Sequence, residues 1–176
     1  MTVFVAGVHG VGKSYLCEKY AQTHDVLHES ASGLIRKEKD QLNWSADKKV
    51  ANVDDNQVAL ASAVHRISEQ GHLLLLDGHF VLIDPYSEFI RLPPSVFKDL
   101  VITGVVLIEV SPKIISSRLK SRDSTQSAVD IVKFIEAERE QARLVCKEIG
   151  AALHILHAPN EESFTETVSS LFNAAQ

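Results

Sequence analysis

Residues 4–16 read FVAGVHGVGKSYL, an apolar run followed by a glycine-rich turn, a lysine and a hydroxyl. Gly7, Gly12, Lys13 and Ser14 fit the pattern G-x-x-x-x-G-K-[ST], with Val8, His9, Gly10 and Val11 filling the gap. Glycines let such a backbone curl until several N–H groups point inward, and Lys13 adds a positive charge within reach of the outer phosphates of a nucleoside triphosphate. Ser14 then stands where a hydroxyl can hold magnesium. The setting supports the pattern: TVFVA before it reads as a buried strand, and SYLCEKYAQ after it as a helix whose N-terminus faces the loop. The residues expected to hold the triphosphate are Gly7, His9, Gly10, Val11, Gly12, Lys13, Ser14 and Tyr15.

With 176 residues, 45% of them hydrophobic, the chain has enough material for one domain with a proper core. Its net charge of −5 and lack of a long basic run argue against a nucleic-acid-coating surface. The apolar runs are too short for a membrane span and no signal-peptide pattern opens the chain, so a cytoplasmic protein is expected. Cys17 and Cys146 fall in helix-like stretches and read as free buried thiols. Eight histidines form no H-E-x-x-H pair, and no zinc site is expected.

Apolar runs recur at Val3 to Ala6, Val26 to Leu27, Leu73 to Leu76, Val105 to Val110 and Ala151 to Leu156, separated by helix-like segments. Such alternation predicts an α/β fold in three layers, a parallel sheet with helices on both faces. Ser111, followed by Pro112, and Asn160, ahead of EESFTETVSSLF, are the expected N-caps of two helices. Residues 30–70, polar and mostly helical, and 78–100, with three prolines, depart from the rhythm as insertions in a single domain spanning 1–176.

Ligands of open parallel sheets bind beyond the carboxyl ends of the strands, which directs attention to LLLLDGHF. Four leucines followed by Asp77 have the form of a strand whose terminal carboxylate helps hold magnesium. A plain D-G turn is the competing reading. Water-hydrolysing ATPases commonly place a glutamate beside this aspartate; here the neighbour is Gly78, which favours transfer to a substrate over motor-type hydrolysis.

Phosphoryl transfer needs cations around the moving group, and arginines supply them. Arg118 and Arg122 in SSRLKSRDST stand where a helix gives way to a polar turn, a short lid over 118–130; a solvated helix end explains either residue equally well. The helix expected from Ala128 to Ile149 has an apolar stripe through Ile131, Ile135, Ala142, Cys146 and Ile149, with Arg139 in its middle. A phosphate partner, or a salt bridge to Glu136 or Asp130, would satisfy that charge.

These motifs together resemble the adenylate kinase superfamily of P-loop nucleoside monophosphate kinases, the archaeal type and its small relatives most of all. The resemblance spans nearly the whole chain. It implies a five-stranded parallel sheet of order 2-3-1-4-5 and Mg2+-dependent transfer of the γ-phosphoryl of ATP to a nucleoside monophosphate, AMP first. SGLIRKE resembles the helix that grips the monophosphate, which would make Arg36 the gripping residue with Ser32 near base or sugar, inside the acceptor-binding insertion 30–70. Asp77, Gly78 and His79 would form the turn under the acceptor, with Ser14 and Asp77 serving the metal. Lys13, Arg118, Arg122 and Arg139 would carry the transfer chemistry. HAPNEE would lie near the adenine. The stretch DGHFVLIDPYSEFIR departs from the arginine that bacterial members carry soon after the D-G turn. Another small-metabolite acceptor, or an ATP-binding regulatory ATPase, are the alternative functions; an oligomer is compatible with either.

Overall fold

The computed structural model describes residues 1–41, 53–122 and 130–174. Residues 42–52 of the expected acceptor-binding insertion and 123–129 of the expected lid lie outside them. β1 (Thr2–Ala6), β2 (Leu27–Ser30), β3 (Leu74–Asp77), β6 (Ile102–Glu109) and β7 (Ala152–His157) form one parallel sheet in the order β2-β3-β1-β6-β7. Counted within this sheet alone, that is the expected 2-3-1-4-5. The labels differ because β4 (Val81–Ile83) and β5 (Phe89–Arg91) make a separate antiparallel hairpin in the proline-containing insertion, followed by the short helix α4 (Pro94–Lys98).

The remaining helices are α1 (Lys13–Ala21), α2 (Ala31–Gln41), α3 (Val53–Glu69), α5 (Pro112–Arg122), α6 (Ile131–Ile149) and α7 (Glu161–Asn173). Successive strand residues point to opposite faces of a sheet, so near-continuous apolar strands need cover on both sides. Val3, Val5, Leu75, Val106 and Ile108 pack with Leu16 and Cys17 of α1 and Phe164 and Val168 of α7. Phe4, Leu74, Leu76, Val105 and Leu107 pack on the other side with Leu60 and Val64 of α3 and Phe97 of α4. α6 feeds both cores, through Phe134 and Ile135 on one side and Ala142 and Val145 on the other.

Capping follows the sequence in part. Asn160 accepts the Ser163 N–H at 2.9 Å and starts α7 as expected. The Ser111 carbonyl accepts from Ile114 and Ile115 at the start of α5. α6 begins at Ile131 rather than Ala128, because Asp130 accepts the N–H groups of Val132 and Lys133 and ends the extended backbone there. Cys17 and Cys146 are buried free thiols, as expected. No described helix is long and apolar enough to cross a membrane.

Because all five strands run the same way, their carboxyl ends share one rim. That rim carries Gly7 after β1, Ser30 at the end of β2, Asp77 at the end of β3 and Glu109 at the end of β6. The rim depends on the sheet behind it. Leu75, fully buried in β3, anchors this register beside Val3. Leu75→Ala should destabilise the fold by about 2–5 kcal/mol, read from urea unfolding midpoints.

Candidate active site

The loop between β1 and α1 curls as its glycines allow. Gly7 and Gly12 take φ of 142° and 102°, a region that side chains with a Cβ rarely adopt. At Gly7 a Cβ would also stand 2.5 Å from the Ile108 carbonyl oxygen, so the loop passes against β6 at a distance that only glycine permits. Gly12 is the N-cap of α1, which aims the positive end of that helix at the loop. Lys13 turns back over the curl: its Nζ donates to Gly7 O at 2.6 Å and to Val8 O at 3.5 Å. Burial lowers its pKa, while Asp77 and Glu138 favour the charged form.

Ser14 Oγ donates to Asp77 Oδ2 at 2.7 Å, joining the first turn of α1 to the end of β3. His28 of β2 approaches the same oxygen, its Nε2 at 3.5 Å. Burial raises the Asp77 pKa, but the nearby His28 ring, the Ser14 hydrogen bond and the Lys13 charge outweigh it, and the net shift is downward. An ionised carboxylate beside a hydroxyl is a hard oxygen donor set, and Ser14 with Asp77 therefore fits Mg2+. His28 is not among the expected site residues. In register His28 pairs with Leu75 and Ser30 with Asp77, so His28 reaches Asp77 diagonally, from two positions back along β2.

Glu138 is the most deeply enclosed charge of the site, at 1% exposure. Its two oxygens accept from Gly7 N at 3.3 Å, Phe80 N at 3.0 and 3.1 Å and Val81 N at 2.7 Å. Burial pushes its pKa up to about 7 against those hydrogen bonds and the nearby Lys13. His79 Nδ1 lies 4.0 Å from Glu138 Oε1, and the His79 ring packs on His9 with centroids 4.2 Å apart. Burial, with Lys13 and His9 alongside, holds the His79 pKa well below its usual value, so the ring is neutral.

Glu138 corrects the sequence reading of α6. The expected stripe places Arg139 in its middle, but the buried face runs through Phe134, Ile135, Glu138, Ala142 and Val145, and Arg139 lies at its border. Position 138 also falls on that stripe, three residues after Ile135 and four before Ala142. Neither expected salt-bridge partner of Arg139 is used. Its Nε and Nη2 fork onto the two oxygens of Glu109 at 2.6 and 2.8 Å, which a search within the helix alone could not find.

Arg118 reaches the loop. Its Nη1 donates to Gly10 O at 2.8 Å and Val11 O at 3.0 Å. Arg122 closes α5, and its side chain lies outside the described residues. Tyr15 is exposed at the loop's edge, its hydroxyl bonded to Glu161 at the start of α7. His9, Gly10, Gly12, Lys13, Ser14, Tyr15 and Arg118 share one cavity of about 900 Å³ with Ser32, Asp77, Gly78 and His79. Arg36, exposed on α2, and Arg139 do not line it. The far wall is apolar, with Ile35, Leu60, Leu82, Leu92 and Val96, and carries the amides of Asn56 and Gln57.

A glycine-rich loop between the central strand and a helix, an ionised aspartate on the neighbouring strand and a parallel sheet of this order define a P-loop NTPase fold. Residues 6–136 match the model of the AAA domain family, and the chain belongs to that family. No curated protein matches it in sequence. An unliganded sugar kinase from Janibacter sp. HTCC2649 superposes with a TM-score of 0.58 at 13% identity, over 98% of this chain and 94% of that one. A gluconokinase from Sinorhizobium meliloti 1021 gives 0.55 at 13% identity, over 99% and 93%. An uncharacterized protein from Eubacterium ventriosum ATCC 27560 gives 0.54 at 12%, over 99% and 98%. At these identities the shared property is the fold.

The Glu138 shift has a thermodynamic sign. A glutamate titrates near 4.5 in the unfolded chain and near 7 here, so the folded state holds its proton more tightly across that window. Stability from this residue is therefore greatest below the window and falls as pH rises through it. Glu138→Gln should be less stable at every pH, since one amide oxygen cannot serve all three N–H groups, but its decline across the window should be shallower. Urea midpoints measured from acid to neutral pH check both statements.

Proposed function

We propose that this protein is a Mg2+-dependent phosphotransferase that moves the γ-phosphoryl of ATP to a hydroxyl of a small, neutral metabolite. One observation carries the reading: the loop, Lys13, Ser14 and Asp77 open into the same cavity as an apolar-walled second compartment. The whole cavity, of about 900 Å³, falls in the range of small-molecule sites. Loop N–H groups, Lys13 and Arg118 neutralise the phosphates and the charge that spreads over the transferring group. Ser14 and Asp77 would hold Mg2+, which would supply further charge neutralisation at the phosphates. The acceptor hydroxyl oxygen bonds to the γ-phosphorus and gives its proton to solvent, while the bond from the γ-phosphorus to the bridging oxygen breaks and ADP leaves.

Two features favour transfer over hydrolysis and a neutral acceptor over a monophosphate. A Cβ on Gly78 would stand 2.8 Å from the Phe4 ring, so the backbone beside Asp77 has no room for the glutamate that orients water in many ATPases. The monophosphate reading gives Arg36 the grip on the acceptor, whereas Arg36 lies outside the cavity lining. The second compartment instead offers apolar wall and carboxamides. Among the described residues Gln57 Oε1 is buried without a hydrogen-bond partner, an acceptor matched to a substrate N–H or O–H.

Lys13→Ala should fold normally and lose about 10²–10³-fold in turnover, as expected when one preorganised donor to the transition state is removed. Calorimetry with ATP and an acceptor screen read by product mass provide the test. Hydroxylated neutral acceptors with an aliphatic or aromatic face should be phosphorylated. Product from AMP alone would return the acceptor to the monophosphate class, and wild-type turnover in Lys13→Ala would end the phosphotransferase reading.

A further inference from the structure

The donor and acceptor sides of the cavity are built on different strands, the loop from Gly7 to Ser14 after β1 and the turn from Asp77 to Val81 after β3. They are tied at three places. Ser14 meets Asp77, His9 packs on His79, and Glu138 accepts from Gly7 on one side and from Phe80 and Val81 on the other. The third tie differs in kind, because it comes from another element and grips main chain rather than side chain.

We propose that Glu138 is a positioning residue whose carboxylate couples the phosphate-binding loop to the acceptor-side turn, so that seating phosphate on the loop orders Asp77 to Val81. The proposal rests on the nucleotide site described above. Glu138 sits in the interior of a 19-residue helix packed into both cores, which leaves its carboxylate little freedom to follow either loop. It occupies the N–H of Gly7, the first residue of the curl, and leaves the N–H groups nearer α1 for phosphate. Phe80, whose N–H both carboxylate oxygens share, is fully buried against Phe4 and Phe97, so the far end of the link is seated in the core. Lys13 faces the same carboxylate and also serves the phosphates, so nucleotide binding changes the charge that Glu138 meets.

An amide cannot substitute here. A glutamine side chain at this position would present one oxygen and one NH2 to three donors, leaving an N–H facing an N–H. The test is amide hydrogen exchange by mass spectrometry, with MgADP as probe, on wild type and Glu138→Gln. In wild type MgADP should slow exchange in the loop peptide and also in the peptide covering Phe80 and Val81. In Glu138→Gln it should still protect the loop, no longer protect the turn, and bind about tenfold more weakly, the equivalent of one charge-assisted hydrogen bond. Equal protection of both peptides and unchanged affinity in the variant would overturn the coupling. The wild-type arm needs no substitution: protection confined to the loop there would overturn it as well, even if Glu138→Gln did not fold. Absence of any MgADP binding to wild type would instead remove the nucleotide site and, with it, this inference.

Discussion

The structure turns on a loop of main-chain N–H groups held curled at the end of the central strand. A curled backbone of this kind concentrates partial positive charge and leaves donors without internal partners, so it is maintained only if its surroundings brace it. The bracing is visible on every side. β6 comes so close that Gly7 has no room for a Cβ, Lys13 and Arg118 bond the loop's own carbonyls, and Glu138 takes the Gly7 N–H from behind. Each contact uses loop atoms that a phosphate would not need, and the inward N–H groups stay available.

Electrostatics around the loop follow from the same enclosure. Lys13, Asp77 and Glu138 are all buried, and burial alone would push each toward its neutral form. The outcomes differ because the partners differ. Asp77 receives Ser14 and His28 and stays ionised, whereas Glu138, held by main-chain N–H groups and deeper in the core, titrates near neutrality. His79 remains neutral between them. The site therefore keeps one carboxylate ionised and uses another to hold the backbone, by environment rather than by residue type.

The apolar-walled side of the cavity obeys a different logic. Its walls are core side chains of α3, α4 and the β4–β5 hairpin, and its polar groups are amides and hydroxyls rather than guanidinium groups among the described residues. That hairpin and helix occupy the proline-containing insertion, so the part of the chain least like regular strand–helix alternation shapes the compartment proposed to take the acceptor.

Much of the fold is legible in the sequence because it rests on local rules. Apolar runs separated by helix-like segments, glycines at positions of positive φ, an aspartate ending a leucine run and an asparagine ahead of an acidic first turn are each read from short stretches of sequence. They predict the parallel sheet, the loop, Asp77 at the rim and the Asn160 cap, and the structure contains all four. Pairing between distant charges is not legible. Arg139 meets Glu109, 30 positions away, and Glu138 meets Gly7, 131 positions away. One residue along a helix turns a side chain through about 100°, so the choice between 138 and 139 as the buried position depends on how α6 lies across both cores. The sequence by itself therefore determined which chemical groups the rim carries. Only the tertiary structure decided which of them face the cavity and which are neutralised elsewhere, because a charge's partner is set by packing between elements and spacing along the chain does not encode it.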